Sequence, residues 1–207
     1  MAIENLAQLN AEQLDVLTEV GNIGSGHAAT ALATMLNTVV DIEIPNITLV
    51  DLDKVYQFLG DKDDLAIGLT LDVTGDLSGM ILQVVQKDFF NKLTNTFFGQ
   101  ERDSLDSISE MDFSLVHEVG NITSGAYVNA LANMVKMMIN IGPPAHHVGT
   151  LEAILNLPLG EKPHLNPQVL YIDEKLQISN SEVRCSMIFI LELPSLLKLF
   201  DKLKVQY

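Results

Sequence analysis

Hydrophobic side chains recur every three to four residues between positions 14 and 35, which predicts a long amphipathic helix. The apolar positions of this pattern are Leu14, Leu17, Val20, Ile23, Ala31 and Met35. After it, an apolar β-branched segment is predicted over 38–49 and a short helix around 51–59. Two alternating strands are predicted over about 65–73 and about 79–86, and an amphipathic helix begins at Asp88.

The same order of patterns occurs twice because the chain carries an internal repeat. Residues 19–35 read EVGNIGSGHAATALATM and residues 118–134 read EVGNITSGAYVNALANM, and 11 of these 17 positions are identical. We therefore predict two repeated units, over 10–99 and 109–204, within a single domain that spans 1–207.

The predicted fold class is α/β, of the α+β kind, with two halves related by a pseudo-twofold axis. The long helices that carry the repeated motif are expected to pack on a mostly antiparallel sheet. Short turns between the paired strands favour this arrangement over a doubly wound parallel sheet. The polar segments 60–64 and 100–109 are predicted to be a turn and the linker between the halves.

The charge of the chain narrows the range of partners. Twelve Lys and Arg against 27 Asp and Glu give a formal net charge of -15, so nucleic acid and anionic membrane surfaces are not expected partners.

A single cysteine cannot form an internal disulfide, which suits a reducing compartment. The first 13 residues do not have the pattern of a signal peptide, and no apolar stretch reaches the roughly 18 residues of a membrane span. We therefore expect a cytoplasmic protein without membrane insertion.

An acid and an amide recur on one helical stripe. Asp15, Glu19 and Asn22 lie at positions i, i+4 and i+7, within about 60° of one another around a helix. Their counterparts in the second copy are Ser114, Glu118 and Asn121. A Glu and an Asn three residues apart can together hold a cation of a partner and orient a water molecule. The simpler interpretation is a solvated helix surface, and both remain open at this point.

Glycines interrupt both motif helices, at Gly21, Gly24 and Gly26 and at Gly120 and Gly125. Each costs a helix about 1 kcal/mol relative to alanine. Either another backbone packs closely there or the surface is kept low for a docking protein, and the two explanations are compatible.

Several other chemistries are not favoured. The segment 24–29, GSGHAA, resembles a dinucleotide fingerprint, but helical pattern precedes it and the second copy has Thr123 in place of the first glycine. The acidic turn 60–64 lacks the glycine and final glutamate of a calcium loop. His146 and His147 face opposite sides of a predicted strand and are expected to be surface residues, and Cys185 is expected to be a buried small side chain. We therefore expect no metal and no cofactor held by this chain.

The repeated residues resemble a known family. The pattern [D/S]-x-x-x-E-x-x-N, followed after 22 residues by Pro, occurs twice, as Asp15, Glu19, Asn22 and Pro45 and as Ser114, Glu118, Asn121 and Pro144. This doubled motif resembles the CheC family of chemotaxis phosphatases, which is related to CheX and to the phosphatase part of FliY. The resemblance covers nearly the whole chain.

The resemblance implies an enzyme that hydrolyses the aspartyl phosphate of the response regulator CheY. Glu19 and Glu118 would each engage a lysine of the regulator, and Asn22 and Asn121 would each position the attacking water. The resemblance also implies that Mg²⁺ is carried by the regulator and not by this chain.

The other motif positions are expected to support these residues. Asp15 and Ser114 would shape the outer face of each helix, and Pro45 and Pro144 would be structural. The family also pairs with CheD, a receptor-modifying deamidase, for which the segment 148–157 is a candidate surface. The alternative is a non-catalytic adaptor that binds CheD or phosphorylated CheY.

Overall fold

The computed structural model describes residues 11–102, 104–105 and 108–204, and both halves contain the same order of elements. The first half consists of α1 (Ala11–Leu36), β1 (Val40–Ile42), β2 (Asn46–Asp51), a 3-10 turn (Leu52–Lys54), α2 (Tyr56–Leu59), β3 (Leu65–Gly75), β4 (Gly79–Gln86) and α3 (Lys87–Phe98). The second consists of α4 (Glu110–Val135), β5 (Ile139–Ile141), β6 (Ala145–Thr150), α5 (Leu151–Glu161), β7 (Gln168–Ile178), β8 (Ser181–Leu191) and α6 (Leu193–Lys204). The start of the predicted repeat at position 10, and positions 103, 106 and 107 of the predicted linker, lie outside the described residues.

All strand pairs are antiparallel, which confirms the predicted sheet type. The eight strands form one sheet in the order β1-β7-β8-β4-β3-β5, and β2 also pairs with β7 while β6 also pairs with β3. The strands β4 and β8 lie side by side at the centre, where one half meets the other. This arrangement is the pseudo-twofold relation that the repeat predicts.

The two halves exchange their short strands, which the sequence pattern did not predict. The strands β1 and β2 of the first half pair with β7 of the second half. Conversely, β5 and β6 of the second half pair with β3 of the first half. Neither half therefore completes its part of the sheet alone, and the chain folds as a single domain.

Helices cover both faces of the sheet. The larger core lies under α1 and α4, and a smaller core lies under α2 and α5 on the opposite face. The predicted positions of β3 and β4 are confirmed, but every residue of 79–85 is buried, so the strands do not present one exposed face. Within the described ranges, no helix is both long enough and apolar enough to span a membrane.

The helices α1 and α4 cross closely above the sheet. A methyl group at Gly24 would lie 3.1 Å from the Cα of Tyr127, which is tighter than an ordinary van der Waals contact, so glycine favours this close approach. Leu17 and Leu131 line one small cavity beside the same crossing, which indicates that the helices run in opposite directions. At this position the glycine is explained by close packing of a backbone.

A buried carboxyl group lies beneath the crossing. Glu174 on β7 is fully buried, and the hydroxyl of Tyr127 donates a hydrogen bond to its Oε1. Burial raises the pKa of Glu174 to about 7, repulsion from Asp173 adds to this rise, and the bond from Tyr127 opposes it. Its Oε2 has no hydrogen-bond partner among the described residues. The carboxyl group is therefore partly ionised near neutral pH in a place that favours the neutral form.

Replacing Glu174 with glutamine should stabilise the protein at neutral pH but not in mild acid. The pKa is raised in the folded state, so wild-type stability is fully present below the ordinary value of 4.5 and is lost as pH rises toward 7. Glu174→Gln keeps an acceptor for Tyr127 and removes this loss. The gain in unfolding free energy should be on the order of 3 kcal/mol above about pH 7.5 and close to zero near about pH 4.5.

Urea unfolding at both pH values measures this difference. Asp201→Asn, at an exposed position of α6, serves as the control and should show no comparable pH-dependent gain. Equal displacement of the Glu174→Gln curve at both pH values would show that the carboxyl group is not held neutral.

Candidate active site

The first motif lies on the solvent side of α1. Asp15 and Glu19 are exposed and Asn22 is half-buried, and the unbroken helix places all three on one stripe, as the spacing predicts. The Oδ1 of Asn22 is buried and has no hydrogen-bond partner among the described residues. A buried amide oxygen without a partner is costly, so this side chain is not explained by its contacts within the chain.

Pro45 holds α1 next to Asn22. Pro45 lies in the break between β1 and β2 and is buried. A methyl group at Gly21 would lie 2.7 Å from Cγ of Pro45 and 3.2 Å from Cδ1 of Ile47. The glycine thus lets the helix approach the start of β2, and Pro45 packs against α1 at this point.

The second motif lies on the solvent side of α4, where Ser114, Glu118 and Asn121 are all exposed. The hydroxyl of Ser114 donates to the carbonyl of Glu110 at 2.9 Å, so it is engaged with its own helix. Asn121 is more open to solvent than Asn22. The two motifs therefore share their helical stripe but differ in the environment of the amide.

The start of α4 is fixed by a dense polar contact. Ser109 caps the helix and forms a capping box with Asp112, whose buried carboxylate also accepts hydrogen bonds from Nε and Nη2 of Arg102. Burial opposes ionisation of Asp112, but the bonds from Arg102 and Ser109 hold its pKa below the ordinary value. The predicted linker thus anchors the helix that carries the second motif.

The second copy packs its repeated glycine differently. A methyl group at Gly120 would lie 2.4 Å from Cδ1 of Leu69 and 3.1 Å from Oε1 of Gln83, and no atom of Pro144 is among its three nearest neighbours. Pro144 itself is half-buried. A methyl group at Gly26 would have no neighbouring atom within 4 Å. Close packing therefore explains some of the glycines, and an open surface explains others.

The motif carboxylates are available to a partner. Among the ion pairs of the described residues, none includes Glu19 or Glu118. No hydrogen bond between described residues joins the polar side chains of the first motif to those of the second. The structure therefore presents two separate Glu–Asn pairs, each on its own helix and each able to receive a cation from outside.

An apolar groove borders the second motif. It has a volume of about 250 Å³, and Ser114 and Glu118 lie on its rim. Its apolar walls are Met35, Phe97, Phe98, Met111 and Leu115. Phe97 and Met111 are 47% and 65% exposed, so part of this surface is open to solvent.

His117 and His146 lie beside the second motif, and the sequence pattern did not connect them with it. His146 and His147 do face opposite sides of β6, as expected, and His147 approaches Glu161. His146, however, turns toward α4, where its Nδ1 lies 2.9 Å from Nε2 of His117. A comparison of the two copies distinguishes His117 and His146, because the equivalent residues of the first copy are Thr18 and Ile47.

Cys185 and the dinucleotide-like segment are as the sequence predicted. Cys185 is fully buried on β8, accepts a hydrogen bond from Nε2 of Gln83 at 2.8 Å, and its pKa is raised by burial. The segment 24–29 lies in the middle of α1, so no strand precedes it.

The comparisons with known proteins confirm the family resemblance. The CheC-like family model matches the chain twice, over residues 12–49 and 111–148, and each match contains one complete motif from Asp or Ser to Pro. The CheY-P phosphatase CheC of Bacillus subtilis (strain 168) is 29% identical over 196 residues, which are 93% of this chain and 94% of that protein.

One further relative and one solved structure are also similar to this chain. The flagellar motor switch phosphatase FliY of Bacillus subtilis (strain 168) is 28% identical over 143 residues, which are 69% of this chain and 37% of FliY. An X-ray crystal structure of Thermotoga maritima FliY has a TM-score of 0.73 at 20% identity and covers 96% of this chain and 99% of that one. At this identity the likeness shows the fold alone.

Alanine at Gly21 and at Gly26 should have opposite effects on stability. Gly21→Ala should lower the unfolding free energy by about 1–3 kcal/mol, because the methyl group would overlap Pro45. Gly26→Ala should raise it by about 0.5–1 kcal/mol, because alanine favours the helix and the space there is open. Urea unfolding of the two variants measures both signs. A stabilising Gly21→Ala would contradict the contact between Pro45 and the helix.

Proposed function

Because both halves of the chain match the CheC-like family model, we propose that the protein is a cytoplasmic phosphatase that hydrolyses the aspartyl phosphate of a chemotaxis response regulator of the CheY type. The observation that carries this proposal is the Glu–Asn pair on the solvent side of both α1 and α4, in which the glutamate is exposed in each copy. The proposal is also supported by the similarity to the CheY-P phosphatase CheC of Bacillus subtilis, which extends over 93% of the chain.

The proposed roles follow from the position of each pair. Glu19 and Glu118 are exposed carboxylates without an ion pair among the described residues, so each can bind a lysine of the regulator. Asn22 and Asn121 lie one helical turn further along, on the same side of the helix. An amide can both donate and accept a hydrogen bond, which suits it to orient a water molecule toward the phosphorus atom.

The proposed reaction needs positioning more than covalent chemistry. The water oxygen forms a new bond to phosphorus, the bond to the aspartate oxygen breaks, and the carboxylate leaves with the electron pair. Such a transition state is loose, so catalysis depends on alignment of the water and stabilisation of charge. The divalent cation of this reaction is proposed to be Mg²⁺ carried by the regulator.

Asp15, Ser114, Pro45 and Pro144 are proposed to support the catalytic pairs. Pro45 does so through its contact with Gly21, and the bond of Ser114 to its own helix supports a role in shaping that surface.

A deamidase of the CheD type is proposed as a further partner. The candidate segment 148–157 comprises the end of β6 and the first part of α5. Leu151, Ile154 and Leu155 face the interior, and Glu152 and Asn156 are exposed. Only the outer side of this short helix could therefore contact a partner.

Loss of both asparagines should abolish most of the phosphatase activity. Removing one preorganised donor costs about 10²–10³ in rate at its site. Asn22→Ala or Asn121→Ala alone should therefore leave the activity of the other site, and the double variant should fall by about 10²–10³. The measurement is the rate at which radiolabelled phosphate is lost from the phosphorylated regulator.

Asn129→Ala is a matched control, because Asn129 is exposed on α4 but lies outside the motif. It should leave the rate unchanged. A double variant that hydrolyses at the wild-type rate would contradict the assignment of the water-orienting residues. Binding of the regulator without acceleration by the wild-type protein, with or without CheD, would favour the adaptor instead.

A further inference from the structure

A histidine pair lies beside the second Glu–Asn pair. On α4, Phe113, His117 and Asn121 occupy successive helical turns. Nε2 of His117 lies 2.9 Å from Nδ1 of His146, and the ring of His146 stacks on Phe113 with centroids 3.8 Å apart and an interplanar angle of 16°. The ring of His117 is therefore held from one side by β6.

His117 shares the stripe of the motif. It precedes Asn121 by four residues, which separates the two side chains by about 40° around the helix, and Asn121 lies between it and Glu118 in angle. No hydrogen bond of the described residues involves Nδ1 of His117. When Nε2–H of His117 donates to His146, this second nitrogen is free to accept a proton.

The surroundings of His117 favour its neutral form. Burial lowers its pKa below the ordinary value of 6.5, and the charge of His146 lowers it further. His146 is the titratable group that faces it from β6, because the neighbouring His147 points to the opposite side of the strand toward Glu161. On its own helix the adjacent carboxylate is the exposed Glu118.

We propose that His117 is an additional catalytic residue of the second site, which accepts a proton from the attacking water that Asn121 orients. This inference rests on the proposed phosphatase function. The water oxygen bonds to phosphorus as the bond to the aspartate oxygen breaks, and the water proton passes to Nδ1 of His117. The products are the free carboxylate, hydrogen phosphate and an imidazolium, which then releases its proton to solvent.

The first site lacks this group. The equivalent positions hold Thr18, whose hydroxyl donates to the carbonyl of Leu14 at 2.8 Å, and Ile47, whose side chain packs near Gly21. Neither can accept a proton near neutral pH. The two sites therefore differ in their dependence on pH, although the substrate and the rest of the protein are the same.

The experiment compares the two sites on the same regulator. Asn22→Ala leaves the second site and Asn121→Ala leaves the first, and single-turnover dephosphorylation rates are measured with each over about pH 5.5 to 8. The rate ratio of second to first site cancels the pH dependence of the regulator itself. It should fall as pH falls, because protonation removes the free acceptor of His117.

Two substitutions assign the titration to the histidine. In the Asn22→Ala background, His117→Thr copies the first site and should lower the rate by about 10² at neutral pH and make the ratio independent of pH. His146→Ile, also copied from the first site, removes the hydrogen-bond partner of Nε2 of His117 and should shift the midpoint of the pH profile, because that partner fixes the tautomer of the ring. If His117 only packs α4 against β6, the pH profile of the second site should keep its midpoint when His146 is replaced.

The outcomes separate this inference from the proposed function. An active second site whose ratio to the first does not change with pH overturns the role of His117 and leaves the phosphatase intact. No acceleration by the wild-type protein overturns the phosphatase function and this inference together.

Discussion

The close crossing of α1 and α4 is the constraint on which both candidate sites depend. At Gly24 the two helices approach so closely that a methyl group would meet the backbone of Tyr127. The apolar sides of α1 and α4 therefore pack against each other and against the sheet. Since each helix has only one other side, the stripes that contain Glu19 and Glu118 must face outward. Tyr127 also reaches Glu174 below the crossing, so one side chain links the helix layer to the sheet.

The exchange of short strands makes each site depend on both halves. Pro45 and Ile47 support α1 at Gly21, but β2, which contains Ile47, is held in the sheet by β7 of the second half. In the same way His146 contacts α4 from β6, which is held by β3 of the first half. A single half would therefore have the motif helix and its supporting strand, but not the strand of the other half that holds this support in the sheet. This interlocking explains why the repeat forms one domain and not two.

Local pattern predicted much of this structure, and non-local contacts account for what it missed. The positions of β3 and β4 and the shared stripe of Asp15, Glu19 and Asn22 follow from spacing within a few residues, and the repeat follows from the residues shared by segments 19–35 and 118–134. The pairing of β2 with β7 joins residues more than a hundred positions apart, and no periodicity within either strand encodes it. The contact between His117 and His146 belongs to the same class, since helix and strand meet only after the strands have been exchanged.

The residues that stayed identical in the two copies are not all explained by packing. Gly21 and Gly120 are equivalent, yet one approaches Pro45 and the other approaches Leu69, so even this shared residue serves different contacts. Glu19 and Glu118 make no ion pair with any described residue of the chain, and their shared identity has no internal cause of this kind. The supports of the two candidate sites differ while their acid and amide are the same, which favours one external partner that both sites must fit. The same divergence leaves room for each site to treat that partner differently, and the imidazole of His117 at the second site is where the chemistry of the two sites differs most.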